Sequence, residues 1–304
     1  MNKSKVKNYK GVQPIRVFES EMFREFERIK EVLDTIYPKS RLKEVTLDYQ
    51  IGKLKIRGPK ASKKTIYLDE TFLSAFWNYC YGLTLSSPIE KTDYQKDYNP
   101  YDSLDYCSKL FSDFKDWDIE KLPNPEFYRK EMETTIKWVN RIFSIGLYFL
   151  IFHEFSHIIS DDFSKPNNSR LENHKMEFAC DLYAFDVFAK STNITEPIVA
   201  TGILCAMGIL SFASSFKEQF TFSHPYPDER LVKIIEKYEA ITYIKENNNA
   251  WTIATWILFT YDFMRNKIFP GMEGSIFRFE DFKEGNIKQL FYTTLDRLQT
   301  KKIL

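Results

Sequence analysis

The chain reads as an α+β protein, with a small β-sheet near the N-terminus followed by a mainly α-helical body. Two observations predict this. Strict alternation of apolar and polar residues is confined to the stretches "VTLDYQI", "KLKIR" and "TIYL" between Val45 and Leu68. From Pro125 onward, apolar residues recur almost throughout at helical spacing. No internal repeat and no low-complexity tract interrupts either part, so a single domain over residues 1–304 is expected. Its N-terminal helix and sheet occupy about 17–70 and its helical core about 125–264.

The elements follow in order. Glu19–Tyr37 carries Phe23, Phe26, Ile29 and Leu33 at helical spacing and stops at Pro38, which cannot continue a helix. In "VTLDYQI", Val45, Leu47, Tyr49 and Ile51 fall on one side of a strand; "KLKIR" continues the alternation after Gly52, and "TIYL" at 65–68 completes a sheet of two or three strands. "DETFLSAFWNYCYGL" opens on acidic residues, favoured at a helix N-terminus, and becomes an aromatic helix. Residues 84–103 are polar, contain Pro88 and Pro100, and read as a loop. Breaks in the helical half are expected at 161–168 ("DDFSKPNN") and around 221–227 ("TFSHPYP").

Composition narrows the function classes. A formal net charge of +1 gives no overall attraction to nucleic acid or an anionic membrane. The basic start "MNKSKVKNYK" reads as a frayed terminus. Cys80, Cys107, Cys180 and Cys205 are scattered without a C-x-x-C pair, which suits free thiols in a reducing cytosol. No positive segment followed by an apolar one marks a signal peptide. Pro197–Phe216 is uncharged and long enough to span a bilayer, but its Thr, Ser and Gly content favours a buried central helix. The apolar run Ile142–Phe152 is too short to span. Cytoplasmic localisation is therefore expected.

Chemistry enters at "FLIFHEFSHIISD", residues 149–161. Positions four apart share a helix face, so His153 and His157 project together from the most apolar stretch of the chain, with Glu154 one step around. A buried helix has no packing reason to carry this set, whereas a zinc hydrolase has one. Catalytic Zn2+ takes three nitrogen or oxygen ligands and leaves a position open. H-E-x-x-H supplies two imidazoles, and the Glu is placed to take a proton from the attacking water and return it to the leaving amine. His153 and His157 are thus candidate ligands and Glu154 the candidate base and acid, on a zincin-like body.

The third ligand must come from elsewhere. A metzincin continuation would need Gly at position 160 and His at 163, which are Ser160 and Phe163. The next helical segment offers Glu177 and Asp181, four apart, as a ligand and as a carboxylate that orients a ligating imidazole. Glu172 and His174 compete with Glu177 for the third position. His224 precedes Pro225, which bends the backbone out of helix, so its ring can enter the cleft and stabilise an oxyanion. Arg230 is assigned to pairing with a carboxylate that anchors this loop rather than to contact with substrate.

The series HEFSH, EFACD and SHPYPDERL resembles HtpX-like metallopeptidases, which carry H-E-x-x-H, E-x-x-x-D and H-P-x-x-x-x-R in that order. It resembles more closely the Lit-like phage-exclusion peptidases of bacteria. These share the apolar lead into HExSH, the E-x-x-x-D helix, an uncharged helix after it and an H-P motif ending in E-R. That resemblance implies a soluble cytoplasmic zinc endopeptidase, with His153, His157 and Glu177 as metal ligands, Glu154 as catalytic residue, and His224 and Arg230 in the roles above. It also implies elongation factor Tu as the protein substrate and a phage-derived peptide as activator; from the charge balance, no nucleic acid partner and no membrane are expected. The alternatives are a membrane-embedded enzyme using Pro197–Phe216 and Ala250–Tyr261, a metallopeptidase of mobile elements that cleaves a repressor, or a non-catalytic binding module.

Overall fold

The computed structural model of the chain describes residues 14–40, 42–51, 58–86, 100–112, 124–126, 128–164, 169–191, 193, 195–215, 225, 227–242, 248–266 and 286–303. A short 3-10 turn leads into α1 (Glu19–Ile36), followed by β1 (Thr46–Gln50), β2 (Lys60–Ala61) and β3 (Thr65–Asp69). The helices after them are α2 (Glu70–Ser86), α3 (Pro100–Ser112), α4 (Glu133–Ile159), α5 (Arg170–Ser191), α6 (Pro197–Ser215), α7 (Pro227–Thr242), α8 (Asn248–Asn266) and α9 (Ile287–Ile303). This is the expected α+β arrangement.

The sheet has the order β1-β3-β2, with β1 parallel to β3 and β2 antiparallel to it. Thr46 lies opposite Thr65 and Gln50 opposite Asp69. The expected strand "KLKIR" lies outside the described residues. Along β1, Val45 is buried and Leu47 and Tyr49 are half-buried, but Ile51 lies just past the strand and is exposed.

The buried stripe of α1 is Met22, Phe26, Ile29 and Leu33. The spacing placed Phe23 there; the structure turns it outward and buries Met22 four residues before Phe26 instead. Asp69 starts α2, its Oδ1 accepting from the backbone N–H of Thr71 at 2.9 Å and of Phe72 at 3.2 Å, which satisfies two of the orphan donors at that end. Every residue from Glu70 to Leu83 is buried, so α2 is a central helix without a wet face. The expected loop at 84–103 is narrower than its composition suggested, because α2 runs to Ser86 and α3 begins at Pro100, where a proline suits the first helical turn.

Helix α4 crosses the core and positions the site. Phe143 meets Phe76 of α2, with ring centroids 5.2 Å apart, and Phe155 stacks on Phe26 of α1 at 5.3 Å. Trp77 Nε1 donates to Asn140 Oδ1 at 2.7 Å, and Tyr148 Oη to Glu21 Oε1 at 2.9 Å. Each fully buried Phe stabilises the fold by about 1.5–3 kcal/mol, so these rings hold the helix firmly along its length. The stretch Lys130–Ile159 is 30 residues long and apolar enough to cross a membrane, although 72% of its most apolar window is buried inside the fold. The run Ile142–Phe152 therefore belongs to a helix of spanning length, contrary to the expectation from the run alone. Helix α6 is the buried helix expected at Pro197–Phe216, with Ile198 to Ala200 and Ile203 to Ile209 all buried. Cys80, Cys107, Cys180 and Cys205 are buried and form no disulfide.

Candidate active site

Helix α4 is apolar almost throughout, and its last two turns carry the polar set. His153 and Glu154 are buried and His157 is half-buried. The facing stripe of α5 is Glu177, Cys180, Asp181, Ala184, Phe185 and Phe188, a helical repeat that is polar at one end and apolar at the other. The apolar end docks onto α4, with Phe188 edge-on to Phe152 at 6.1 Å. That docking brings Glu177 to the two imidazoles.

His153 Nε2 and His157 Nε2 are 3.2 Å apart. Glu177 Oε2 lies 3.4 Å from His153 Nε2, and Glu177 Oε1 lies 3.4 Å from His157 Nε2. The three donor groups therefore form a small triangle. Tetrahedral zinc with bonds of about 2.0–2.1 Å has ligand–ligand edges of about 3.3–3.4 Å, so the donor set fits such an ion in chemistry and in spacing.

The outer nitrogens are held by carboxylates. Asp181 Oδ1 is 2.9 Å from His153 Nδ1, a close contact outside ideal hydrogen-bond geometry. Asp162 Oδ2 is 3.0 Å from His157 Nδ1. Asp181 is itself fixed by Arg230, which donates from Nε to Oδ2 and from Nη2 to Oδ1, both at 2.7 Å. Arg230 Nη1 also lies 3.7 Å from Glu177 Oε2. This fork-on-fork pair is a strong form of charge-assisted hydrogen bond.

These charges tune one another. Burial works against a charge on His153, but Asp181 and Glu177 outweigh it and push the imidazole up to about 10. With two imidazole nitrogens facing each other beside carboxylates, the site demands positive charge, and a proton meets that demand in the absence of a metal. Burial pushes Glu154 above the usual carboxylate range, opposed by His153 and His157. Burial also works against an ionised Asp181, yet Arg230 and His153 hold it below its ordinary value. The thiol of Cys180 is pushed up, chiefly by burial.

The structure thus brings together His153, His157, Glu177, Asp181 and Arg230, with Glu154 near enough to feel their charges. His224 lies outside the described residues. Glu172 is elsewhere: its carboxylate accepts from the backbone and side chain of Ser169 at 2.7 and 2.8 Å, closing a capping box at the start of α5. His174 is half-buried and outside the triangle. Arg230 sits in the first turn of α7 and not in the preceding loop; its partner is the buried Asp181.

Two neighbours were not foreseen. Asp162 lies in the expected break between helices at 161–168, and Cys180 is one of four scattered thiols. The one available signal for Asp162 was an acidic pair directly after the last turn of the H-E-x-x-H helix.

A model of the peptidase U49 family matches residues 66–254, from β3 into α8 and across every site residue above. The chain belongs to the peptidase U49 family. The Lit-like resemblance is to this family, whereas the match gives no support to a likeness with HtpX. No curated protein and no solved structure matches the chain. As a U49 peptidase it hydrolyses peptide bonds, and its substrate is a protein or peptide.

Proposed function

We propose that this U49 peptidase is a zinc-dependent endopeptidase, with His153, His157 and Glu177 as ligands and Glu154 as general base and acid. The observation that carries the reading is the triangle of His153 Nε2, His157 Nε2 and the Glu177 carboxylate at 3.2–3.4 Å. An ion bound there supplies Lewis-acid chemistry, acidifying water and polarising a carbonyl. The chain's own residues do the rest. Glu154, held above the usual carboxylate range by burial, accepts the proton of the attacking water and delivers it to the leaving nitrogen. Asp181 holds His153, and Arg230 holds Asp181, so the base works against a fixed frame. His224 is assigned to the oxyanion on its motif alone.

The finer biology rests on the Lit-like resemblance: cleavage of elongation factor Tu in the cytoplasm during phage exclusion, triggered by a phage-derived peptide. The same reading takes the chain as one catalytic domain, supported by a single core cluster of buried apolar residues among the described residues. The membrane-embedded alternative rests on Pro197–Phe216 and Ala250–Tyr261, whose described residues are largely buried; among the described residues the helix of spanning length is instead Lys130–Ile159, itself mostly buried.

The test uses wild type and Glu154→Gln expressed in a bacterium, with and without phage proteins. Proteomes are compared for new protein termini, and the purified proteins are assayed for bound metal. New termini with wild type only, and stoichiometric zinc in both proteins, are expected. Wild-type protein without zinc overturns the metal reading. A Glu154→Gln variant with the full cellular effect would establish a non-catalytic binding module.

A further inference from the structure

Helix α4 ends in a way its own electrostatics oppose. Asp161 and Asp162 follow its last turn, at the negative end of the helix dipole, where a carboxylate is disfavoured. Asp161 takes a left-handed conformation (φ 49°), with its N–H donating to Ile158 O at 3.2 Å, while Ser160 N–H donates to Ser156 O at 2.9 Å. This tight stop leads into the 3-10 turn Asp162–Ser164. The reversal returns the Asp162 side chain, only 4% exposed, to the helix it has just left, with Oδ2 3.0 Å from His157 Nδ1. A carboxylate that is both buried and at a helix C-terminus requires a compensating donor. His157 Nδ1 is within reach to supply one.

We propose that Asp162 is the positioning residue of His157. It keeps the ring proton on Nδ1 and thereby aims the Nε2 lone pair at His153 and Glu177. The Cys180 thiol, 3.4 Å from His157 Nδ1 and 4.0 Å from Asp162 Oδ2, packs against the same contact and limits ring rotation. Each imidazole then has its own carboxylate, Asp181 for His153 and Asp162 for His157. The proposal rests on the metal reading above, and it separates from that reading experimentally.

The experiment compares wild type, Asp162→Ala, Asp162→Asn and Cys180→Ala. Zinc affinity is measured by competition with a chromophoric chelator. The tautomer of His157 is read in the metal-free proteins from long-range proton–nitrogen correlations of the imidazole rings, and thermal melts of the same proteins serve as the folding control. Asp162→Ala is expected to bind zinc about 10–100-fold more weakly and to lose the Nδ1–H form of His157, with an unchanged metal-free melt. Asp162→Asn, which keeps a neutral acceptor, is expected to fall between it and wild type and to carry the test should the alanine variant fail to fold. Equal zinc affinity and the same tautomer in all variants overturn the proposal. Two zinc ions per wild-type chain, reduced to one by Cys180→Ala, also overturn it, because His157, Asp162 and Cys180 would then be ligands themselves. Wild type that binds no zinc removes the metal site itself, a separate result visible before any variant is compared.

Discussion

The two imidazoles of the site face each other at 3.2 Å, yet they are propped by different kinds of structure. His153 leans on Asp181 from α5, and Asp181 is gripped by Arg230 from α7, so that side exists only once three helices have assembled. His157 leans on Asp162, five residues along the same chain, and needs one helix end and one tight turn. One side reports on tertiary packing and the other on local backbone geometry. Perturbing them should therefore produce different defects.

The largest effect leaves both sides intact. Glu154→Gln should lower peptide cleavage about 10²–10⁴-fold while keeping metal, whereas His153→Ala should lose the metal as well. Elemental analysis beside an assay of cleavage separates the two. Next comes the tertiary side: Arg230→Met strands the buried Asp181 charge and should cost about 3–5 kcal/mol of stability, read by urea denaturation. The local side should respond otherwise, with affinity lost and stability largely kept.

A proton balance sharpens the contrast further. His153 is held up to about 10 in the metal-free protein, so metal uptake at neutral pH should release close to one proton from it. Calorimetry in buffers of different ionisation enthalpy measures that release. Asp181→Asn should reduce it, by removing the carboxylate that raises His153 most. The smallest effect concerns stability against pH. A raised imidazole stabilises the metal-free fold fully below the unfolded value of about 6.5 and ceases to do so as pH rises through about 10. Melting temperature of the metal-free protein should accordingly decline across that window, and decline less in His153→Gln.

The parts of the site legible in the sequence are those with a helical period. His153 and His157 share a face because four residues separate them, and so do Glu177 and Asp181; their meeting follows once the apolar ends of α4 and α5 dock. Asp162 has no period to betray it. Its place depends on one left-handed residue, Asp161, and a reversal that the acidic pair alone does not announce. The fold divides in the same manner. The long helices and β3 are written in their spacing, while the exchange of Phe23 for Met22 on the buried face of α1 turns on the rotation of that helix about its axis, which the competing rings leave open. The spanning-length helix was hidden because its apolar run is extended on its N-terminal side by a mixed segment from Glu133 to Arg141 that is helical as well.

Seven residues before His153, α4 touches α6 backbone to backbone. A β-carbon on Gly146 would lie 2.6 Å from the carbonyl oxygen of Gly202, and one on Gly202 would lie 2.9 Å from that of Ile142. Nothing larger than hydrogen fits, so a single methyl at either place must push apart the helix that carries both imidazoles. Conditional alleles, active in the cold and silent when warm, should therefore be sought at these two glycines, in a screen that never touches a reacting group.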